Sequence, residues 1–125
     1  MYAIEISALF AAGHQLRLGP GQLEPSHGHN WSVVVRVASP QLDAIDTVMD
    51  FHDLEQALEA IIGPWRNRHL NDVAPFLAGV NPSAERVAEV IGQNIAKSLK
   101  PPARVVEVRI GEAPGCTAIW MNAEE

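Results

Sequence analysis

The chain has 125 residues, 47% of them hydrophobic and 19% charged, and a formal net charge of −6. That length supports one hydrophobic core, so a single domain over residues 1–125 is expected. The acidic balance argues against a nucleic-acid partner, since the one basic cluster, Arg66-Asn67-Arg68-His69, is too short to track a phosphate backbone.

One cysteine, Cys116, leaves no internal disulfide and no Cys-based zinc knuckle, which fits the reducing cytoplasm. No apolar run approaches the roughly 20 residues of a membrane-spanning helix. No basic residue precedes the apolar N-terminal stretch, so neither membrane insertion nor a secretory signal is expected.

The first element is a strand over about residues 2–12, from Tyr2 through Phe10, followed by His14. A Gly/Pro-rich loop comes next, Gly19-Pro20-Gly21-Gln22-Leu23-Glu24-Pro25-Ser26, and carries one carboxylate. The second strand, about 28–39, alternates Trp31, Val33, Val35 and Val37 and stops at Ser39-Pro40. Asp53 is expected to cap a helix with Leu54, Leu58, Ile61 and Ile62 on one face, stopped by Gly63-Pro64. Ser83 is expected to cap a second helix, whose apolar stripe is Val87, Val90, Ile91, Ile95 and Leu99, with Lys100-Pro101-Pro102 beyond.

Arg104–Ile110 and Cys116–Met121 read as two closing strands, with Cys116 a small buried strand residue. The order is ββααββ, an α+β domain with both helices on one face of an antiparallel sheet. Such a small sheet leaves free edges, which a ring-shaped oligomer would join.

The chemistry concentrates at three histidines. His27 and His29 are two apart on a strand and share one face. His14 joins them if the two strands pair. Three neutral imidazoles with an open fourth position suit catalytic zinc, while two surface histidines on a strand are the plain alternative. A cupin-type oxygenase also uses HxH on a strand, but it needs a nearby ligand carboxylate, and Asn30–Ala38 contains none.

In this order the residues resemble the 6-pyruvoyl-tetrahydropterin synthase and 6-carboxytetrahydropterin synthase family over nearly the whole chain. The resemblance rests on Phe10-Ala11-Ala12-Gly13-His14, His27-Gly28-His29-Asn30, Val48-Met49-Asp50-Phe51-His52-Asp53-Leu54, Leu70-Asn71-Asp72, Asn81-Pro82-Ser83-Ala84-Glu85 and Gly111-Glu112. It implies the tunnelling fold (T-fold), whose subunits close into a barrel as trimers that stack to a hexamer. It also implies zinc on His14, His27 and His29, a small pterin substrate anchored through its ring by Glu112, and Ser83 near the pterin.

Two departures bear on the reaction. Most family enzymes carry a reactive cysteine four residues before the HxH, where this chain has Leu23. Glu24 stands one residue later and resembles the branch in which a glutamate replaces that cysteine. That branch cleaves the side chain of a 7,8-dihydroneopterin-type substrate to 6-hydroxymethyl-7,8-dihydropterin, with Glu24 as general base.

The second departure is at the family's Asp-His pair, where Arg66 and Asn67 stand and neither carries protons at neutral pH. His69, two positions on, is the substitute if the loop is reshaped, and otherwise a surface or packing histidine. His52 reads as solvated. The expected function is therefore a zinc-dependent pterin lyase serving folate or queuosine precursor synthesis. The alternatives are 6-carboxytetrahydropterin or 6-pyruvoyl-tetrahydropterin synthesis, and zinc and pterin binding without turnover. Arg66 or Arg68 are candidates for a substrate triphosphate, on charge alone.

Overall fold

In the computed structural model, residues 1–123 are described; Glu124 and Glu125, the end of the expected domain, lie outside the described residues. Strand β1 (Tyr2–His14) pairs antiparallel with β4 (His27–Ser39), and β4 with β6 (Arg104–Ala113) and β6 with β7 (Cys116–Met121) likewise. Alternation along these strands puts Ile6 and Phe10, then Trp31, Val33, Val35 and Val37, then Val108 and Ile110 on one buried face. The register matches them across the ladder, Phe10 with Trp31, Ile6 with Val35 and Val35 with Val108.

Helices α1 (Phe51–Ile62) and α2 (Ala84–Ser98) cover that face. Leu54, Leu58 and Ile62 of α1 and Val87, Ile91 and Ile95 of α2 are all buried, as their spacing requires. None of the described helices is long and apolar enough to cross a membrane.

Four details differ from the sequence expectation. The cap of α1 is Asp50, whose Oδ1 accepts from the His52 amide at 2.8 Å, and Asp53 falls inside the first turn. A carboxylate suits both positions, because both face the unpaired amides of the helix start. Residues Arg17–Gly19 and Gln22–Leu23 form a small hairpin, β2 and β3, where a loop was expected. Pro20-Gly21 makes its turn, with Gly21 at φ 69°, a conformation that glycine adopts without strain.

A two-residue strand, β5 (Arg68–His69), runs parallel to β1 and makes the sheet mixed, in the order β5-β1-β4-β6-β7. Finally, Cys116 is exposed, because it follows a tight turn at Pro114-Gly115 on the outermost strand.

Candidate metal and pterin site

The ends of β1 and β4 build the site. His14 and His27 are directly opposite in the register, and His29 faces the same way two residues along β4. His14 is 1% exposed. Its ring packs edge-on against Trp31 at 4.8 Å between centroids, and His29 meets the same indole at 5.6 Å. Trp31 is itself fixed, donating Nε1–H to the Ala12 carbonyl at 3.0 Å and stacking on Phe10.

Hydrogen bonds on the far ring atoms set the tautomers. His14 Nδ1 lies 2.7 Å from the Pro82 carbonyl, and His27 Nδ1 lies 3.0 Å from the Pro25 carbonyl. A carbonyl only accepts, so each Nδ1 carries a proton and donates it, and in the neutral ring this makes Nε2 the free lone pair. Those two Nε2 atoms approach to 3.0 Å. Glu112 Oε1, a further acceptor, lies 2.9 Å from His14 Nε2, 3.0 Å from His29 Nε2 and 3.9 Å from His27 Nε2.

His29 Nε2 is buried without a hydrogen-bond partner: the Glu112 oxygen is close enough, but the approach misses hydrogen-bond geometry. Burial lowers the His29 pKa below 6.5, against an opposing pull from Glu112, and so favours the neutral, ligating ring. One ligand atom from each of His14, His27, His29 and Glu112 falls within 4.8 Å of the others. Acceptors converging in this way fit a cation, and an imidazole-rich set with one carboxylate fits zinc.

The three histidines thus come together as the sequence suggested. Glu112 turns its carboxylate to the imidazoles. Glu24 borders the same space, with Oε1 3.9 Å from His27 Nε2 and accepting from the Leu16 amide at 3.0 Å. His69 is beside the site: its backbone pairs with Gly13, next to His14, and its Nε2 lies 2.8 Å from Ser26 Oγ, next to His27. Ser83 acts as the cap of α2, accepting from the Arg86 amide.

Arg66 and Asn67 are engaged elsewhere. Arg66 holds Glu59 through two nitrogens, at 3.0 and 2.7 Å, and donates to the Leu9 carbonyl at 2.8 Å. These bonds lower the Glu59 pKa and raise that of Arg66. The Asn67 amide donates to the Ala11 carbonyl at 2.7 Å, with its own φ at 59°. Both residues therefore bind the β1 edge, and the Arg66 guanidinium is also paired with Glu59.

Sequence reasoning missed three supports. Asn71 accepts from the Gln15 amide and donates to the Gln15 carbonyl, both at 2.9 Å. Asn81 does the same for Arg17, at 2.9 and 3.1 Å, so two asparagine amides act as strand partners for the segment leaving His14. Pro82 supplies the carbonyl that orients His14. The signal was present, since both asparagines belong to motifs that carry the resemblance, but their backbone targets are more than fifty residues away.

Residues 3–123 match the family model described as 6-pyruvoyl tetrahydropterin synthase. The human 6-pyruvoyl tetrahydrobiopterin synthase is 36% identical over 95 residues, 75% of this chain and 65% of that protein. The Poecilia reticulata 6-pyruvoyl tetrahydrobiopterin synthase is 34% identical over 87 residues, 69% of this chain and 58% of that protein. The chain thus spans less than two thirds of the length of either relative.

Among solved structures, the Caenorhabditis elegans 6-pyruvoyl tetrahydropterin synthase superposes with a TM-score of 0.83 at 19% identity, covering 98% of this chain and 96% of that one. A catalytic residue mutant of the Plasmodium vivax enzyme, glutamate to alanine, gives 0.72 at 15% identity, covering 98% and 99%. At these identities the structures speak for the fold alone, which is the mixed sheet with two helices of the T-fold. The sequence match over nearly all of its length establishes that this chain belongs to the 6-pyruvoyl tetrahydropterin synthase family.

Proposed function

We propose that residues 1–125 form one pterin-synthase-like domain that acts as a zinc-dependent lyase on a 7,8-dihydroneopterin triphosphate-type substrate. The observation that carries this reading is the convergence of three imidazoles and one carboxylate on a single point, with two of the tautomers fixed by backbone carbonyls. The reaction named for the relatives, formation of 6-pyruvoyl tetrahydropterin, is the better supported product assignment.

Zinc held by the three histidines would supply Lewis-acid polarisation of the substrate's side-chain oxygens. Glu24, at the rim of this space, is the base that takes a substrate proton. It stands one residue after the position where a cysteine is usual, and the Plasmodium vivax mutant replaces a glutamate designated catalytic. Ser83, which follows the Pro82 that orients His14, would lie beside the pterin, and His69, hydrogen-bonded to Ser26, is the remaining proton carrier beside the site.

A second reading, side-chain cleavage to 6-hydroxymethyl-7,8-dihydropterin, is favoured by Glu24 together with the loss of the family's Asp-His pair to Arg66 and Asn67. In that case Glu24 takes the proton of a side-chain hydroxyl, and that carbon leaves as an aldehyde as the adjacent C–C bond breaks. The electron pair passes into the dihydropterin C=N until the remaining carbon regains the proton. The chemistry belongs in the cytoplasm, in a trimer or hexamer of this chain.

Incubating zinc-loaded protein with dihydroneopterin triphosphate and identifying products by mass tests these assignments. Formation of 6-pyruvoyl tetrahydropterin supports the first reading, and 6-hydroxymethyl-7,8-dihydropterin the second. Bound but unchanged substrate would overturn both and leave a pterin-binding protein.

A further inference from the structure

Four ligands at about 2.0–2.1 Å from a tetrahedral zinc are separated from one another by about 3.3 Å. The Glu112 oxygen lies 2.9, 3.0 and 3.9 Å from the three Nε2 atoms, and His14 Nε2 lies 3.0 Å from His27 Nε2. These distances bracket the edge of such a tetrahedron.

The backbone gives independent support. Gly111 pairs with Thr117 and Ala113 with Cys116, so Glu112 is the extra residue of a bulge in the β6–β7 ladder. A bulge re-aims the side chain it carries. Gly111 also lets β6 lie close to β4, since a Cβ there would fall 2.2 Å from Ser32 Oγ. The histidines are of another kind, because they sit on two strands paired continuously from Tyr2–Ser39 to His14–His27. Three ligands on regularly paired strands are therefore joined by one on an irregular backbone.

From this we infer that Glu112 is the fourth ligand of the resting metal site, and that it is an exchangeable one. A site with four protein ligands is closed, and catalysis needs an open position. Glu112 is the ligand able to leave. Its departure on substrate binding gives a side-chain oxygen of the pterin access to the centre and frees the carboxylate for the ring's paired N–H donors. The site then opens only when substrate is present. This inference rests on the metal-site reading above.

Its test uses the full chain, with zinc affinity measured by chelator competition and the visible spectrum of the cobalt-substituted protein recorded with and without 7,8-dihydroneopterin. Glu112→Gln and Glu112→Ala are expected to weaken zinc roughly 10- to 100-fold, with His29→Ala as the ligand control. Their cobalt spectra should lose intensity as water replaces the carboxylate. Adding 7,8-dihydroneopterin should change the wild-type spectrum and leave Glu112→Ala much less affected.

Unchanged zinc affinity in both Glu112 variants, with loss in His29→Ala, would overturn the ligand assignment and leave the metal site standing. A wild-type protein that binds no zinc would overturn the metal-site reading itself. A wild-type cobalt spectrum indifferent to 7,8-dihydroneopterin would overturn the exchange.

Discussion

Glu24 braces a loop and is proposed as the base, and two substitutions tell these jobs apart. Its Oε1 accepts from the Leu16 amide at 3.0 Å, which braces the β2–β3 excursion against the end of β1. The same oxygen faces His27 Nε2 at 3.9 Å, the position from which it would take a substrate proton. Glu24→Gln keeps an amide oxygen for Leu16 and nearly the same volume, so folding, zinc content and pterin affinity should hold. It cannot accept the proton, and turnover should fall roughly 10²–10⁴-fold, or about 3–5 kcal/mol of barrier.

Glu24→Ala also strands the Leu16 amide. Losing a hydrogen bond to a charged group costs about 1.5–3 kcal/mol when buried, and partial exposure here brings the expectation to about 1 kcal/mol. The assay is single-turnover conversion of dihydroneopterin triphosphate by the three proteins, with thermal melts alongside. Wild-type turnover in Glu24→Gln would refute the base assignment. A loss confined to Glu24→Ala that follows its melting temperature would make Glu24 a loop brace.

Three further outcomes are expected. Burial lowers the His29 pKa in the folded chain, so the unfolded chain binds the proton more readily. Stability of the metal-free protein should therefore be fully present above about pH 6.5 and fall as pH drops through the lowered value, and His29→Gln should flatten that profile in denaturant titrations. Gly92→Ala would gain about 1 kcal/mol from helix propensity. A Cβ there falls 2.2 Å from the Trp120 ring, however, and overpacking costs typically about 1–3 kcal/mol, so the melting temperature should drop; a rise would show that Trp120 moves aside freely. Among the described residues β7 is an outer strand and β5 covers β1 only at Ala12 and Gly13, while Leu9, Ile119 and Met121 are exposed, so light scattering at micromolar concentration should find a trimer or hexamer and a stable monomer would reject the barrel.

The alternating strands, the two helical stripes and the shared face of His27 and His29 were legible in the residue pattern, because these follow from backbone periods of about 2 and 3.6 residues. Its motifs also carried the family. What it left open depends on partners distant in the chain. Pairing of β1 with β4 brings His14 to His27, and the Pro82 carbonyl, 68 residues from His14, decides which of its ring nitrogens is free.

The hairpin at residues 17–23 escaped notice because it is short and rich in glycine and proline, and it is held by Asn81 and the Glu24 carboxylate rather than by its own propensity. Arg66 and Asn67 looked like lost catalytic groups, and tertiary structure made them fasteners of the β1 edge. The direction of the Glu112 carboxylate was likewise beyond the sequence. A bulge sets it, and a bulge is a property of two strands in register rather than of one strand's residues.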